Sequence, residues 1–418
     1  MENQGEQFDT IVVGAGVMGS STAYHLSKLG CKVVLLDQFD FLHHRGSSHG
    51  ESRTLRATYP EPYYAALVKE SQTLWEQAQS EIGYKVYFPT PHLDMGPSIE
   101  TSLRSVIANL GPNSVPHRIL DARQLLDEFP ARIDLPENWV AVVSNIGGVI
   151  KPTKAVAMFQ TLAVKNGAVL RDNMEVVEIE RDDERGGVSV STASGERFWG
   201  KKCVVAAGAW LKKLVQRVAE IEIPIVPVET SVMYWRIKEG HQAEFAIAGG
   251  SPTFASYDEP YIYGTPALEF PELIKIAVHG GQPCDPDSRK WATRPGPAML
   301  EPLKEWIRGR FGDRIDASGP VMAQSCMYST TPDEDFVIDF LGGDLGKDVV
   351  IAGGFSGHGF KMAPAVGRVL ADLVVSGEAK GVDLKHFELR RFERNPEGNV
   401  KDFDKQVTLT QLSRTRVS

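Results

Sequence analysis

The chain has few of the features that membrane, nucleic-acid-binding or disulfide-stabilised proteins require. Its 418 residues include only four cysteines, with no C-x-x-C spacing, so neither a disulfide framework nor a cysteine zinc site is expected and a reducing compartment fits. Acidic residues outnumber basic ones by 54 to 45, so the basic field that binds nucleic acids or anionic membranes is missing. No apolar run could span a bilayer, and Met1 to Asp9 lacks the basic start and apolar core of a secretory signal.

What the chain does have is the length for two domains and a clear nucleotide-binding start. Phe8 to Val13 is an apolar, β-branched run that predicts a buried parallel strand. Val17 to Leu29 predicts a helix, and Lys32 to Leu36 predicts a second strand that Asp37 closes. The three segments form a β-α-β unit of the expected size.

Three glycines occupy the turn of this unit. Gly14 allows the tight turn, Gly16 lets a pyrophosphate approach the backbone, and Gly19 lets helix and strand pack closely. The free N–H groups at the helix start, near Val17, face the phosphates, and Asp37 can accept hydrogen bonds from a ribose. Because strand, helix and acid are all in register, a dinucleotide site is predicted, although the motif does not separate NAD from FAD.

The rest of the chain changes pattern several times. Helices are predicted at Leu67 to Ile82, from Pro152 to Gly167, at Pro297 to Phe311 and at Ala363 to Val375. Short strands with turn signals are predicted at Ala168 to Val205, a mostly antiparallel sheet at Ile223 to Gly280, and a buried strand at Val349 to Ala352. The polar tail beyond Asn395 is expected to pack loosely.

Two further segments are compatible with a cofactor site. Gly46 to Arg56 is polar, flexible and basic, and could cross under a flavin ring; a solvated loop with surface ion pairs is an equal alternative. Cys203 to Trp210 is a strand that runs into small residues, which lets backbone approach a cofactor. Tight packing of strand on helix explains the second segment equally well.

Four stretches together resemble the family of monomeric sarcosine oxidases and pipecolate oxidases, FAD-dependent amine oxidases of the D-amino-acid-oxidase type. The stretches are the glycine motif, Gly46 to Arg56, Lys275 to His279, and Cys326 to Asp339 with Phe355 to Lys361. The resemblance runs from Phe8 to about Gly377 and is nearer to the eukaryotic members. It implies an α/β, two-domain fold: a Rossmann-like FAD-binding domain with an inserted, mostly antiparallel β-sheet substrate domain. The expected boundaries are 1–88, 145–222 and 326–395 for the FAD-binding domain, 89–144 and 223–325 for the substrate domain, and 396–418 for the tail.

The resemblance also implies the cofactor and its contacts. The cofactor would be FAD, attached to the sulfur of Cys326, since a thiolate is a suitable nucleophile toward the flavin's 8-methyl carbon. The alternative is that Cys326 is only a small buried residue, which is the role expected of Cys31 and Cys203. The residues expected to contact the cofactor are Gly14, Gly16, Val17, Met18, Gly19, Asp37, Ser47, His49, Arg53, Val177, Ala207, Gly208, Trp210, Cys326, Gly357, Gly359 and Lys361. No metal site is predicted.

The residues implied for catalysis and substrate binding come from separate parts of the chain. Lys275 matches the family's oxygen-activating lysine, whose charge stabilises superoxide as it forms; by itself it would be read as a lysine that reaches solvent. Arg56 and Lys361 match the pair that holds the substrate carboxylate, which the planar fork of arginine binds well. His279, Tyr263 and Tyr328 match residues of the substrate space, although a lone histidine is often only structural.

The expected reaction is oxidation of a secondary α-amino acid at its C–N bond, giving an imine and hydrogen peroxide. A dehydrogenase with another electron acceptor and a non-catalytic flavoprotein subunit are the alternatives. Ser48 and Ala57 depart from the bacterial pattern, so the substrate stays open among pipecolate, sarcosine, proline-like and larger N-alkyl amino acids. The expected partners are this small molecule and O₂, in a monomer that binds neither nucleic acid nor membrane. A peroxisomal or cytoplasmic location is expected, although Arg416 to Ser418 does not resemble the S-K-L address.

Overall fold

The architecture consists of two large β-sheets, a small third sheet and helices that pack on both large sheets. It was obtained as a computed structural model, and it describes residues 7–129, 133–289 and 295–403. The strands are β1 Gln7–Val13, β2 Val33–Leu36, β3 Arg53–Arg56, β4 Tyr87–Pro89, β5 His92–Pro97, β6 His117–Leu120, β7 Trp139–Ser144, β8 Gly147–Ile150, β9 Val169–Arg171, β10 Val176–Arg181, β11 Val188–Thr192, β12 Arg197–Val205, β13 Val226–Arg236, β14 Thr253–Ser256, β15 Ile262–Thr265, β16 Leu273–Val278, β17 Gln282–Pro283, β18 Met322–Thr330, β19 Val337–Gly342 and β20 Gly346–Gly353. The helices are α1 Val17–Lys28, α2 Pro62–Ile82, α3 Thr101–Leu110, α4 Ala122–Glu128, α5 Pro152–Lys165, α6 Leu211–Ala219, α7 Pro297–Phe311, α8 Ala363–Ser376 and α9 Arg391–Arg394.

The first sheet carries the β-α-β unit. Its strand order is β10-β11-β12-β1-β2-β9, with β20 beside β12 and β19 beside β20. The pairs β12–β1, β1–β2, β2–β9 and β12–β20 are parallel. Helix α1 packs between α5 and α8. Beneath it, β2 is a fully buried apolar run and β1 is buried from Thr10 to Val13, as expected for a covered parallel sheet.

The second sheet is mostly antiparallel, as predicted. Its order is β17-β13-β16-β15-β14-β5-β7-β6, with β18 also paired to β13. Only β5 and β14 run parallel among its described pairs. Strands β3, β8 and β4 form the small antiparallel sheet. In the described parts of the chain, no helix is both long and apolar enough to cross a membrane.

The domain boundary expected between residues 325 and 326 falls inside β18, which pairs with β13 from Met322 to Thr330. The whole of β18 therefore belongs to the second sheet with its partner β13, and we propose that this boundary lies after Thr330. The expected boundary between residues 88 and 89 also falls inside a strand, β4, one residue before its end. The boundaries at 144/145 and 222/223 fall between β7 and β8 and between α6 and β13.

The expectation of a loosely packed tail was wrong for its first part. Residues 395–403, the C-terminal segment, dock on the body of the protein. The backbone N–H of Asn399 donates to Asp333, 2.8 Å away, and its side chain donates to Asp335 and to the carbonyl of His386. The Nζ atom of Lys401 lies 2.8 Å from a carboxylate oxygen of Glu61 and 3.6 Å from one of Asp335. Residues 404–418 lie outside the described part.

We expect Lys401→Met to lower the free energy of unfolding by about 1–2 kcal/mol, because it removes a charged hydrogen bond between two partly buried groups and keeps the apolar stem. Urea unfolding measures the difference. The control is Lys385→Met, which breaks the exposed Lys385–Asp383 pair and should cost less than about 0.5 kcal/mol. Equal losses in the two variants would show that the C-terminal segment is not held by Lys401.

Candidate active site

One elongated cavity of about 1140 Å³ connects the glycine turn of the first sheet to the inner face of the second sheet. Most of the residues predicted for the cofactor and the substrate line this cavity, the exceptions being Gly19, His49 and Val177. The predicted site residues therefore meet at a single cavity, although they come from widely separated parts of the chain.

The glycine turn forms the first end. Gly14 has a φ of +100°, and a Cβ atom there would lie 2.5 Å from the carbonyl oxygen of Ala206, so a side chain would push the turn off the sheet. Gly16, Val17 and Met18 line the cavity, and Gly19 lies behind them, buried on α1. The N–H of Val17 donates to Ser48 Oγ at 3.0 Å. At the start of α1, Ser48 thus occupies a position that the oxygen of an anion could take.

Asp37 follows β2 and is buried beside this turn. Its carboxylate accepts from the N–H groups of Ala15, at 2.7 Å, and of Phe39, at 3.0 Å. Each carboxylate oxygen has a further lone pair, so Asp37 can also accept from the hydroxyls of a ribose.

Further residues expected to contact the cofactor line the cavity at this end, with one exception in β10. Ala207, Gly208 and Trp210 lie at the wall, after the end of β12. Val176 lines the cavity, whereas its neighbour Val177 does not. Successive strand side chains point to opposite faces, and the pairing of β10 is irregular between Val176 and Glu178. Of the two residues, Val176 is the one that lines the cavity.

Arg53 ties the Gly46–Arg56 segment to the second sheet. Its guanidinium donates to the carbonyl oxygens of Ser47 and His49, at 3.0 and 2.7 Å, and to the Sγ atom of Cys326, at 3.6 Å. Ser47 lines the cavity, whereas His49 lies behind it, 3% exposed. Burial, followed by the charge of Arg53, lowers the pKa of His49 to about 3. His49 is thus a neutral side chain that supports the segment from behind.

Cys326 lies on β18, opposite Thr230 of β13, and is 5% exposed. Its sulfur lines the same cavity and receives the Arg53 contact. Cys203, by contrast, is fully buried on β12, where burial raises the pKa of its thiol. Of these two buried cysteines, Cys326 has the surroundings of a reactive one.

Lys275 lies on β16 with 3% of its surface exposed. Its Nζ atom donates to the carbonyl oxygen of Ser52 at 2.8 Å and lies 5.5 Å from the centre of the Tyr263 ring. Burial, followed by the charge of Arg53, lowers the pKa of Lys275 to about 7. The side chain is directed into the cavity and not to solvent.

Arg56 and Lys361 converge on the ring of Tyr59. The Cζ atom of Arg56 lies 4.6 Å, and the Nζ atom of Lys361 5.3 Å, from the ring centre. Arg56 donates to the carbonyl oxygen of Thr58, and Lys361 donates to the hydroxyl of Tyr59 at 2.8 Å. Two cations at one cavity wall form a receptor for an anion such as a carboxylate.

Aromatic groups close the wall beside these cations. The rings of His279 and Tyr328 are 5.2 Å apart, and burial, then the charges of Arg56 and Lys361, lowers the pKa of His279 to about 4. Gly357 has a φ of +76°, and a Cβ atom there would lie 2.8 Å from the Tyr328 ring, so a glycine allows the close approach. Gly359 also lines the cavity. His279 lies just beyond the end of β16.

Sequence reasoning missed several residues of this end. The ring of Tyr59 lies beside both cations, and its hydroxyl lies 3.2 Å from Nδ1 of His358. Tyr257 and Tyr261 extend the same cavity wall. His92 and Asp94 form a fully buried pair, with His92 Nε2 3.2 Å from the carboxylate of Asp94. Burial raises the pKa of Asp94, but the interactions with His92 and then the charge of Arg56 outweigh it and lower the pKa. For Tyr59, the sequence signal was its position three residues after Arg56, a residue already predicted to lie in the site.

Comparison with known proteins identifies the family. A family model described as FAD-dependent oxidoreductase (DAO) matches residues 9–373. The chain belongs to this family. It is 62% identical over 407 residues to a probable sarcosine oxidase of Arabidopsis thaliana, covering 96% of this chain and 97% of the relative. It is 35% identical to the human peroxisomal sarcosine oxidase, with 94% and 98% covered. It is 33% identical to a monomeric sarcosine oxidase of Bacillus sp., with 92% and 97% covered.

Solved structures share the fold of this FAD-dependent oxidoreductase. NikD, an unusual amino acid oxidase of nikkomycin biosynthesis, superposes with a TM-score of 0.78 at 23% identity, covering 92% of this chain and 97% of the other. L-proline dehydrogenase from P. horikoshii gives a TM-score of 0.78 at 23% identity, with 93% and 99% covered. The two-domain α/β fold class predicted from the sequence is confirmed.

FAD is the cofactor of this oxidoreductase, and the cavity suits it. The amides at the start of α1 and the Gly16 backbone suit a pyrophosphate, and Asp37 suits a ribose. The cavity continues from there past Arg53 to Lys275, Cys326 and Tyr328, which provides a path for a long dinucleotide. The ring system would lie where the two sheets meet, between the glycine turn and the paired cations.

Proposed function

We propose that this protein is an oxidase of secondary α-amino acids that reduces O₂ to hydrogen peroxide. The observation that carries the proposal is the pair of cations, partly buried Arg56 and buried Lys361, at the same cavity wall as His279 and Tyr328. A carboxylate held by both cations would orient the carbon next to nitrogen, which is an effect of position. Bound FAD supplies the acceptor for the two electrons removed from the C–N bond.

The residues around the substrate would have distinct roles. Arg56 and Lys361 bind the carboxylate, and Tyr263 and Tyr328 close the space around the nitrogen and its substituents. His279, which its low pKa keeps neutral, adds a hydrogen-bonding group without adding a charge. The ammonium of Lys275 stabilises negative charge as O₂ is reduced. This role of Lys275 favours an oxidase over a dehydrogenase that uses another acceptor.

A substrate panel with a peroxide readout tests this function. We expect peroxide from L-pipecolate or sarcosine, the cyclic and the N-methyl representatives, and none from primary amino acids of similar size. A cyclic substrate keeps its imine in the ring, whereas an N-methyl substrate also yields formaldehyde on hydrolysis. Reduction of an artificial dye without peroxide would identify a dehydrogenase, and no turnover with any secondary amino acid would refute an enzymatic role of this kind.

We also propose that FAD is attached through the sulfur of Cys326. After acid precipitation, we expect the yellow colour to stay with the wild-type protein and to move to the supernatant for Cys326→Ala. The matched control is Cys203→Ala, which removes a buried thiol on β12 and should leave the colour with the protein. Wild-type flavin that appears wholly in the supernatant would disprove the covalent link.

The assembly and location follow from the relatives by analogy. We propose a monomer, because two bacterial relatives are named monomeric sarcosine oxidases, and a peroxisomal location, because the human and mouse relatives are named peroxisomal. Light scattering of the purified protein and microscopy of a tagged chain test the two points. A dimer, or a tag that stays in the cytoplasm, would contradict them.

A further inference from the structure

The second sheet contains a buried carboxylate, beside the substrate end of the cavity, that has no role in the proposed reaction. Asp94 lies on β5 and is fully buried. Its Oδ1 atom lies 3.2 Å from His92 Nε2, and its Oδ2 atom has no hydrogen-bond partner within residues 7–129, 133–289 and 295–403. An ionised carboxylate is costly to bury unless a positive charge balances it, so Asp94 requires a cation nearby.

His92 is not that cation. Its ring lines the cavity, and its Nδ1 atom lies 2.8 Å from the hydroxyl oxygen of Thr253. An ionised carboxylate only accepts hydrogen bonds, so Nε2 donates to Asp94 and Nδ1 can accept from the hydroxyl of Thr253. A neutral imidazole therefore satisfies both neighbours. Burial lowers the pKa of His92, which keeps this ring uncharged at neutral pH.

Arg56 is the cation that the structure places beside this pair. On β3 it pairs with Gly147 of β8, and a Cβ atom at Gly147 would lie 2.9 Å from the Cβ atom of His92, so the two sheets touch at this point. The Nη1 atom of Arg56 also lies 3.5 Å from the hydroxyl oxygen of Thr58, and the same hydroxyl interacts with the carboxylate of Asp94. Asp94 is thus close to the guanidinium that would hold the substrate.

The two charges, on Arg56 and on Asp94, stabilise each other. Burial by itself disfavours the charged form of both groups. The interactions with Tyr257 and Tyr261, followed by Asp94, raise the pKa of Arg56 above its usual value. Those with His92, followed by the charge of Arg56, hold the pKa of Asp94 below its usual value. Asp94 is therefore ionised at neutral pH, and a negative charge lies fixed in the wall of a site that would bind an anion.

We propose that Asp94 is a specificity-determining residue, whose buried negative charge partly cancels the positive field of Arg56 and Lys361 at the substrate carboxylate. The inference rests on the proposed function, in which these two cations bind that carboxylate. The imine product keeps the carboxylate, so the full field of both cations would hold substrate and product alike without accelerating the reaction. Asp94 keeps the binding of both weaker, at the expense of the preference for acids over neutral analogues.

Two ligands of the holoenzyme test the proposal: methoxyacetate, the oxygen analogue of sarcosine, and methoxyacetamide, which carries no charge. Isothermal titration calorimetry at about pH 8, where both His92 and free imidazoles are neutral, gives their dissociation constants. Asp94→Asn removes the charge and keeps an oxygen that can accept from His92. We expect this variant to bind methoxyacetate ~10-fold more tightly and methoxyacetamide within about twofold of the wild type, because only the charged ligand experiences the change in field.

The direction of the change separates a role in charge from a role in structure. If Asp94 only held the wall in shape, its loss would weaken the binding of both ligands or change both equally. Methoxyacetate that binds equally well or more weakly to Asp94→Asn overturns the inference, and so does an equal gain for methoxyacetamide. Asp94→Val, which suits a buried strand and avoids a buried amide, is a second variant and should also bind methoxyacetate more tightly.

Asp258→Asn is the matched control, because it makes the same substitution at an exposed residue that lines the same cavity. Water and salt screen an exposed charge, so its affinity for methoxyacetate should stay within about twofold of the wild type. A gain as large as that of Asp94→Asn would overturn the special role of Asp94. The proposed function fails separately: if the wild type binds methoxyacetate no better than methoxyacetamide, and Arg56→Ala changes neither, the paired cations do not hold a carboxylate.

Discussion

Lys275→Met should slow the reoxidation of the reduced enzyme by O₂ at least ~100-fold, while the rate of flavin reduction by substrate changes little. Lys275 is buried on β16 and is held by the carbonyl oxygen of Ser52, so its charge is fixed in the cavity. A preorganised charge of this kind contributes on the order of 3 kcal/mol when negative charge develops, and oxygen gains its negative charge only in the second half-reaction. Methionine keeps the length and the apolar stem.

Stopped-flow absorbance resolves the two half-reactions of this variant. The control is Lys238→Met, which removes an exposed lysine close to the end of β13 and should leave both rates unchanged. If reduction and reoxidation slow by the same factor in Lys275→Met, the lysine supports the site as a whole and has no special role toward oxygen.

Arg56→Ala should weaken substrate binding by about 2–5 kcal/mol, which raises the KM for the amino acid ~30-fold or more. The variant leaves a buried carboxylate with Lys361 alone. Amide analogues, which carry no charge at this position, should be poor substrates for the wild type and should lose much less in the variant. Steady-state kinetics with pipecolate and its amide measure this preference for acid over amide.

Lys361→Ala gives the comparison within the same site, and we expect a smaller loss, because lysine lacks the bidentate fork of arginine. If Arg56→Ala and Lys361→Ala both prefer acid over amide as strongly as the parent, the carboxylate is held elsewhere. The case for an amino-acid substrate would then weaken as well.

Local signals in the sequence predicted the elements whose ends are set by local chemistry. Helix α7 was predicted at the observed residues, Pro297–Phe311, because Pro begins the helix and Gly312 follows it. The β1-α1-β2 unit was predicted within one residue at each boundary, because its glycines allow only one arrangement of turn and helix. The resemblance to known oxidases brought the distant residues of the site together.

Contacts between distant segments could not be predicted in the same way. The parallel pairing of β5 with β14 joins residues 161 positions apart, such as His92 and Thr253, and no local pattern encodes such a register. The docking of Asn399 and Lys401 depends on acids that gather only when the chain folds. The presence of Val176, and not the expected Val177, at the cavity wall has the same origin, because the irregular pairing of β10 decides which side chain points inward.

The backbone crosses several times between the two large sheets, and these crossings limit how the sheets can move relative to each other. The backbone leaves for the second sheet after β4, returns after β7, leaves again after α6 and returns after β18. Neither of these two sheets is built from one continuous stretch of sequence, so no single cleavage of the backbone would release a half that could fold by itself. A hinge between the layers would have to bend all these crossings together, and β18 holds Cys326 and Tyr328 within one of them. Any such hinge would therefore also move these two residues relative to the glycine turn of the first sheet.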